Sequence, residues 1–457
     1  MKRSKISLAA VSAAMLLLFA TACNNDNDIT TDELPQGTEE PTETPAEEPH
    51  ASENTDAIAK MKIAGKVTSE FVLSTNNYAD FVTKVNQFST KTSILIGCNG
   101  QDNTVVSPLS IFMTLGMSVE CADNNTRKEL LEALGLTYEE LISNINYLCY
   151  TCNQILSQDE ETKASNLIKC VNSLWLNPKA ETKEKGLEQL TKYYYSDIFK
   201  MDANCDINKI ITSYIKNETN GFLSPDLQLS SNVEMVLMNV VYLKEIWKNL
   251  GMELNLSDKQ YDFHNYDGSS ATTTLLEGEY FEGKAETTDS YRKFYTSTNS
   301  GYTLTFIVPN TGYTIDDIFT ADVLNQKDNY LYEDEAFIYK TRCLFPEFTA
   351  EYDNDIKDII SQMGVNDFFV PDACDFSNIT DQHVFCNQIK HVAKLEANRK
   401  GIEGAAVTAV EMIKNGLPVE DNRKEIVYDF VVDRSFVFIL KNREGVTLFE
   451  GVVKKVK

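Results

Sequence analysis

The sequence predicts an α+β fold, because helical patterns crowd its first half and strand patterns its second. Hydrophobic residues make up 42% and charged residues 24% of the 457 positions, near globular averages, so most of the chain can bury a core. That length admits one large domain or two to three ordinary ones, and no fixed-period repeat divides it.

Asn77–Thr90 reads as the first helix, with Tyr78, Phe81, Val82, Val85 and Phe88 on one stripe. Ser110–Glu120 is a second, opened by Ser107-Pro108-Leu109, since a Ser followed by Pro suits a helix start. Thr126–Leu134 is amphipathic and stops at Gly135. The apolar run from Tyr147 to Leu156, and the spans Glu188–Phe199 and Asp206–Asn217, also read as helical. Val171–Leu176, Met235–Leu243, Thr303–Val308, Phe337–Leu344, Phe436–Leu440 and Thr447–Lys454 read as strands, which implies large antiparallel sheets.

The net charge is -26, from 42 basic and 68 acidic residues. Duplex nucleic acid and anionic lipid surfaces would be repelled, so no nucleic-acid partner is expected. Residues 24–59 hold eleven of the acidic residues and no Lys or Arg, with Pro35, Pro41, Pro45 and Pro49 among Thr and Glu. Such a segment buries too little to order itself, and its like charges extend it.

The start of the chain reads as an export signal. Lys2, Arg3 and Lys5 precede an apolar stretch, Leu8 to Ala22, that is too short for a relaxed bilayer span. It ends Phe19-Ala20-Thr21-Ala22-Cys23, which resembles the lipobox of bacterial lipoproteins. That resemblance implies lipidation of Cys23 and cleavage before it, although Ala20 stands where Leu is usual. An ordinary signal peptide with a chance Cys is the alternative. The Asn24-Asn25-Asp26-Asn27-Asp28 start resembles surface lipoprotein signals of Bacteroides-type bacteria. The expected organisation is therefore a signal peptide over 1–22, an acidic tether over 23–60 and a globular body over 61–457.

Ten Cys are present, and lipidation of Cys23 would leave an odd nine. Cys149-Tyr-Thr-Cys152 has redox or zinc spacing, but no second such pair and no nearby His completes a site, so buried free thiols are expected. His50, His264, His383 and His391 are scattered, and no HExxH, GxSxG or GxGxxG run occurs. Neither a metal nor a cofactor is expected, and the sequence carries no enzyme signature.

A collinear set of motifs over about residues 70–457 resembles the serpins. It comprises Val105-Val106-Ser107-Pro108-Leu109-Ser110-Ile111, Thr126-Arg127-Lys128-Glu129-Leu130 to Leu136, Glu218-Thr219-Asn220-Gly221 and Asn239 through Trp247. It continues with Leu344-Phe345-Pro346-Glu347-Phe348, Met363-Gly364-Val365, Asp375-Phe376-Ser377, His391 through Gly401, Asp433-Arg434-Ser435-Phe436 and Leu448-Phe449-Glu450-Gly451-Val452. The resemblance implies three β-sheets with eight or nine helices and an exposed reactive-centre loop. It also implies suicide inhibition. A target protease attacks the loop and forms an acyl-enzyme. The cut loop then inserts into the central sheet and carries the protease with it, releasing strain stored in a metastable fold.

The loop, about residues 398–425, has the chemistry of an insertable strand. From the hinge Gly401 onward, Ile402, Gly404, Ala406, Thr408, Val410 and Met412 form one apolar or small face. Glu403, Ala405, Val407, Ala409 and Glu411 form the other, and no Pro occurs before Pro418. The departures are Ile402, where the family favours Thr or Ser, and Gly404, where it favours Ala. Ile favours strands, and Gly weakens one by about 1 kcal/mol. Family spacing counted from Gly401 lands on Asn415–Gly416, but Asn is uncommon as a primary-specificity residue, so the expected reactive bond is Lys414–Asn415, one residue away, with Asn415–Gly416 second. Lys414 suits a trypsin-like pocket, while Met412 and Ile413 suit elastase- or subtilisin-like enzymes.

Ser107, Ser110, Asn239 and His391 match the family's shutter, a buried polar network that lets the sheet strands part, and Trp247 matches its breach. Ser107 with His391 is not a catalytic pair, since no Asp is implied as a third member. The expectation is a monomeric exported inhibitor of serine proteases, with cysteine proteases as a second target class, held on the bacterial cell envelope by its lipid anchor. A serpin-fold lipoprotein that binds a ligand without inserting its loop is the alternative.

Overall fold

The computed structural model describes residues 12–19, 54–65, 77–97, 100–158, 165–230, 233–248, 253–327, 336–402 and 423–456. Cys23, Glu403 to Thr408, and Lys414, Asn415 and Gly416 lie outside them.

Among the described residues there are three sheets, as the resemblance implies. The central sheet has nine strands, ordered Phe348–Asp355, Gln388–Ala397, Ser12–Phe19, Met235–Ile246, Ser165–Leu176, Asp197–Lys200 and Lys62–Ala64, with Gly401–Ile402 and Gln154–Gln158 paired beside this path. A six-stranded sheet ends in Phe436–Lys441, Thr447–Val453 and Thr104–Val106. A four-stranded sheet is ordered Lys424–Val431, Phe337–Phe345, Ser270–Glu282 and Asn255–His264. The described residues also hold ten α-helical segments, two of them single four-residue turns.

Met235–Ile246 shows why the central sheet is the heart of the molecule. Its near-continuous apolar run is buried on both faces, as a sheet covered on both sides requires. Leu237, Val241 and Leu243 belong to the main core, together with the helix Pro108–Cys121. Met238, Val240 and Tyr242 belong to a second core that includes Ile210, Ile211 and Tyr214 of the helix Ile207–Glu218. Every residue of Pro108–Cys121 is buried, and its start is fixed by Pro108 in the first turn and by Ser107, whose side chain accepts from the Ser110 N–H.

Two helix readings are corrected. Helix Glu184–Tyr194 stops at Tyr195, which takes a left-handed φ of 53°, so Phe199 belongs to the strand Asp197–Lys200. There Phe199 stacks on Trp175 at 4.0 Å, a contact that local periodicity could not foresee. The run Tyr147 to Leu156 likewise splits into helix Tyr138–Thr151 and strand Gln154–Gln158.

Within residues 1–22, Ser12–Phe19 forms a strand in the central sheet. It runs antiparallel to both Met235–Ile246 and Gln388–Ala397. Those two strands therefore run parallel to each other, and an extended apolar segment between them satisfies backbone donors and acceptors on both.

Candidate functional site

The site is the interval between Met235–Ile246 and Gln388–Ala397, together with the hinge above it and the polar residues beneath it. At the top, Gly401 and Ile402 pair antiparallel with Ile246 and Glu245. Gly401 must be glycine, since a Cβ there would lie 2.1 Å from the Glu245 carbonyl oxygen. Ile402 is fully buried, so this departure from the family preference is accommodated by packing.

A tight turn delivers the chain to that position. The Asn398 N–H donates to the Gly401 carbonyl at 3.0 Å, and the Lys400 N–H donates to Asn398 Oδ1 at 2.9 Å. Trp247 is buried, packs edge-on against Phe345 with centroids 5.4 Å apart, and donates from Nε1 to the Asn398 carbonyl at 2.6 Å. Arg399 donates its N–H to Glu347 at 2.9 Å and pairs with Glu253 at 3.7 Å. Trp247 is thus tied to the loop's point of departure through a hydrogen bond as well as packing. Glu245 escaped the sequence reading. It is fully buried, and burial pushes its carboxyl up to about 7, against the lowering effect of the Ser300 and Ile246 hydrogen-bonding groups and the Arg443 charge.

Lower in the sheet, the structure brings Ser107, Ser110, Asn239 and His391 together. The Ser107 N–H donates to His391 Nε2 at 3.2 Å, Ser107 Oγ donates to the Leu448 carbonyl at 2.8 Å, and Ser110 Oγ donates to the Asn239 carbonyl at 3.3 Å. His391 therefore accepts at Nε2, which places the proton of the neutral ring on Nδ1. Ser107 Oγ is aimed at a carbonyl and not at the imidazole, so the two do not form a nucleophile and base. Asn239 extends the network by donating from Nδ2 to Asn172 Oδ1 at 2.8 Å, and Asn172 donates to the Tyr194 carbonyl at 2.7 Å. Asn172 was not singled out by sequence; a polar residue inside an otherwise apolar strand run was the available signal.

On the far side of the undescribed segment, Lys424–Val431 pairs in parallel with Phe337–Phe345. Arg342 holds Asp429 through two bonds of 2.9 Å and also reaches Glu277, while Lys340 meets Glu425 at 2.6 Å. Tyr339 stacks on Tyr428 at 6.1 Å.

Cys149 and Cys152 are both buried, and burial drives the Cys152 thiol well above its ordinary range, which makes it unreactive. Among the described residues, no group of three or more His, Cys, Asp or Glu is placed to hold a metal, and no helix is long and apolar enough to cross a membrane.

Gly401–Ile402 on the edge of Met235–Ile246, with a buried polar network of Ser107, Asn239 and His391 lower in the sheet, is the arrangement the sequence motifs marked out. Residues 83–456 match the profile of the family described as serpin (serine protease inhibitor), and the chain belongs to that family. It is 25% identical to mouse neuroserpin over 380 residues, covering 79% of this chain and 87% of that one. It is 22% identical to an uncharacterized serpin-like protein of Methanosarcina acetivorans over 367 residues, covering 78% and 82%. Among solved structures it is similar to native tengpin, a thermophilic serpin, with a TM-score of 0.65 at 20% identity, covering 87% of this chain and 98% of that one. Thyroxine-binding globulin in complex with thyroxine gives 0.64 at 18%, covering 82% and 99%. At these identities the solved structures speak to the fold alone.

Proposed function

We propose that the chain is an exported, lipid-anchored serpin that traps serine proteases, and some cysteine proteases, by inserting its cleaved reactive loop into the central sheet. The observation that carries this reading is the register of Gly401 and Ile402 on Ile246 and Glu245. Extended residue by residue, it would set Gly404 opposite Leu243, Ala406 opposite Val241, Thr408 opposite Asn239 and Val410 opposite Leu237. Leu243, Val241 and Leu237 belong to the main core, so the loop's small and apolar face would be the one that enters it. Glu403 would fall opposite Lys244, and its face would join Tyr242, Val240 and Met238 under the helix Ile207–Glu218. Within this proposal Ser107, Ser110, Asn239 and His391 serve as the shutter and Trp247 as the breach, with Gly401 through Thr408 as the hinge.

The reactive bond is Lys414–Asn415, which directs the loop to trypsin-like enzymes. The protease nucleophile attacks the Lys414 carbonyl, the Asn415 amine leaves, and insertion distorts the acyl-enzyme before water can hydrolyse it. Cys23 carries the lipid and residues 24–60 tether the body to the bacterial envelope.

The test incubates the chain beginning at Cys23 with trypsin, elastase, subtilisin and papain. A band stable to SDS at the summed mass, with a released peptide starting at Asn415, supports the proposal. Cleavage within residues 403–422 with no covalent band from any enzyme would replace it with the binding-module reading.

A further inference from the structure

We propose that Cys374 and Cys386 form a redox-modification site, joined as a disulfide when the folded chain meets a small-molecule disulfide oxidant. The site is independent of the inhibitor reading, and all of its residues lie outside the reactive loop.

Both cysteines hang from one short turn. Asp367–Phe369 is a single tight turn, and its Phe368 carbonyl accepts from the Cys386 N–H at 2.9 Å. Two residues on, the Val370 carbonyl accepts from the Cys374 N–H, also at 2.9 Å. Phe368 packs on Phe376 with centroids 5.6 Å apart, and both rings share the main core with Cys386, against which Cys374 is also packed. The Cys386 N–H lies against the Cys374 sulfur as well, where it partly offsets the effect of burial on that thiol. The same nitrogen is joined to its own sulfur through only Cα and Cβ, so one amide group has both sulfurs beside it. A disulfide needs Cα atoms within about 7 Å of each other, and this shared amide supplies the approach.

A third thiol stands nearby. Asp123, just past the helix Pro108–Cys121, donates its N–H to the Asp375 carbonyl at 2.9 Å, which brings Cys121 towards Cys374. Burial and then Glu120 dominate the rise in the Cys121 pKa, and Cys374 contributes less than either. For Cys386, in contrast, Cys374 is the contribution next after burial. The closer partner of Cys374 is therefore Cys386.

The two thiols differ in access, which sets the order of events. Cys374 is half-buried and Cys386 buried. Burial pushes the Cys374 thiol up to about 12 and drives Cys386 well above its ordinary range. Both are neutral thiols at neutral pH, so exchange is slow, and a bond once formed is sheltered from reductants. Cys374 loses its proton, attacks one sulfur of an oxidant such as oxidised glutathione and displaces one thiolate. Cys386 then loses its proton, attacks the Cys374 sulfur of the mixed disulfide and displaces the second. Two protein thiols are oxidised, one oxidant disulfide is reduced to two thiols, and the two protons pass to them. Cys386 Sγ faces the Gln388 carbonyl at 3.5 Å, where the strand that carries His391 begins. The disulfide would close the loop between 374 and 386 and fasten the foot of that strand.

The test incubates the folded, reduced full chain with oxidised glutathione at about pH 9, where thiolate is more abundant. After an acid quench, remaining thiols are alkylated in denaturant and the chain is cut on the amino side of Asp. Asp375 and Asp381 then put the two cysteines on different peptides. The expected product joins the peptides carrying 374 and 386, with Cys121 alkylated. The oxidised form should melt roughly a few degrees higher. Cys374→Ala should lose both the link and the shift, and Cys386→Ala should keep glutathione on Cys374. Glutathione that stays on Cys374 of the unsubstituted chain overturns the proposal, because Cys386 then cannot reach it. So does a Cys374 that is alkylated throughout, or a link from Cys121 to either cysteine in place of the expected one.

Discussion

Where the chain enters the 403–422 segment, it is held by buried packing; where it leaves, it is held by half-exposed charge. Gly401 and Ile402 are both buried, a Cβ at Gly401 would strike the Glu245 carbonyl, and the turn before them hangs from buried Trp247. Lys424–Val431 instead exposes most of its side chains and is joined to its neighbour by Arg342–Asp429 and Lys340–Glu425 pairs. Burial is worth kilocalories per residue, whereas exposed ion pairs are worth tenths to one. The entry therefore fixes the register of Gly401 and Ile402 on Met235–Ile246, and the exit supplies an anchor that can be tuned without disturbing the core. Substitutions at the two ends should differ accordingly in size and in salt dependence.

The largest expected effect is at the entry. Trp247→Ala removes a fully buried side chain and leaves the Asn398 carbonyl without its indole donor. A loss of about 3–5 kcal/mol is expected in chemical unfolding. Trp247→Phe keeps most of the packing and should lose about 1 kcal/mol, the net worth of the hydrogen bond. A Phe variant as damaged as the Ala variant would mean that the hydrogen bond, and not burial, holds the entry.

Next is the pH dependence of the same end. Glu245 is pushed up to about 7 by burial, from the ordinary glutamate value of about 4.5. The folded state therefore keeps its proton over a range in which the unfolded chain has lost it. The associated stability is fully present below about pH 4.5 and is lost as pH rises through about 7. A shift of that size corresponds to at most about 3 kcal/mol. Glu245→Gln should flatten the fall in stability between about pH 5 and 8. Glu120 and Glu450 are raised to about 7 as well, burial first, so the wild-type slope should be the sum of three such groups and Gln at one should remove roughly a third. An unchanged slope in Glu245→Gln would show that this carboxyl reaches water.

How much of this was legible depended on whether the signal was local. The motifs around Ser107, Asn239, His391 and Gly401 were readable because each is a short run in strand or cap chemistry, and the α+β class and the three sheets followed. Phe199 was misread because its helix-like spacing continues past Tyr195, and only the left-handed backbone there breaks it. Glu245 and Asn172 passed unnoticed because a lone polar residue in an apolar strand run shows neither its burial nor its partner; the partner of Asn172, Asn239, lies 67 positions along the chain. The pairing of Ser12–Phe19 was not legible because a continuous apolar run looks the same whether it meets a translocation apparatus or a doubly covered sheet. The strand that would receive it, Met235–Ile246, lies more than two hundred positions away.

At the exit the expected effects shrink. Arg342→Gln removes a two-bond contact to Asp429 and the contact to Glu277, whose side chain is only 22% exposed. About 1–2 kcal/mol is expected, most of it from leaving Glu277 partly buried and unpaired. Hydrogen exchange over Lys424–Val431 should report it directly, because those amides lie in the strand that Arg342 steadies. If exchange there is unchanged, the parallel pairing with Phe337–Phe345 is sufficient by itself, and the anchor is backbone.

The smallest effect separates the two ends most cleanly. Lys340 meets Glu425 at 2.6 Å, but their side chains are 30% and 53% exposed, so water competes for both. Lys340→Gln should cost about 0.5 kcal/mol or less at low salt, and that difference should vanish at about 1 M salt, where the screening length falls to the length of the pair itself. Trp247→Phe, measured alongside, should keep its deficit at both salt concentrations, since its contacts are buried and neutral. A Lys340 deficit that survives high salt would mean the pair is shielded by the Tyr339–Tyr428 stack beside it, and the exit would then share the buried character of the entry.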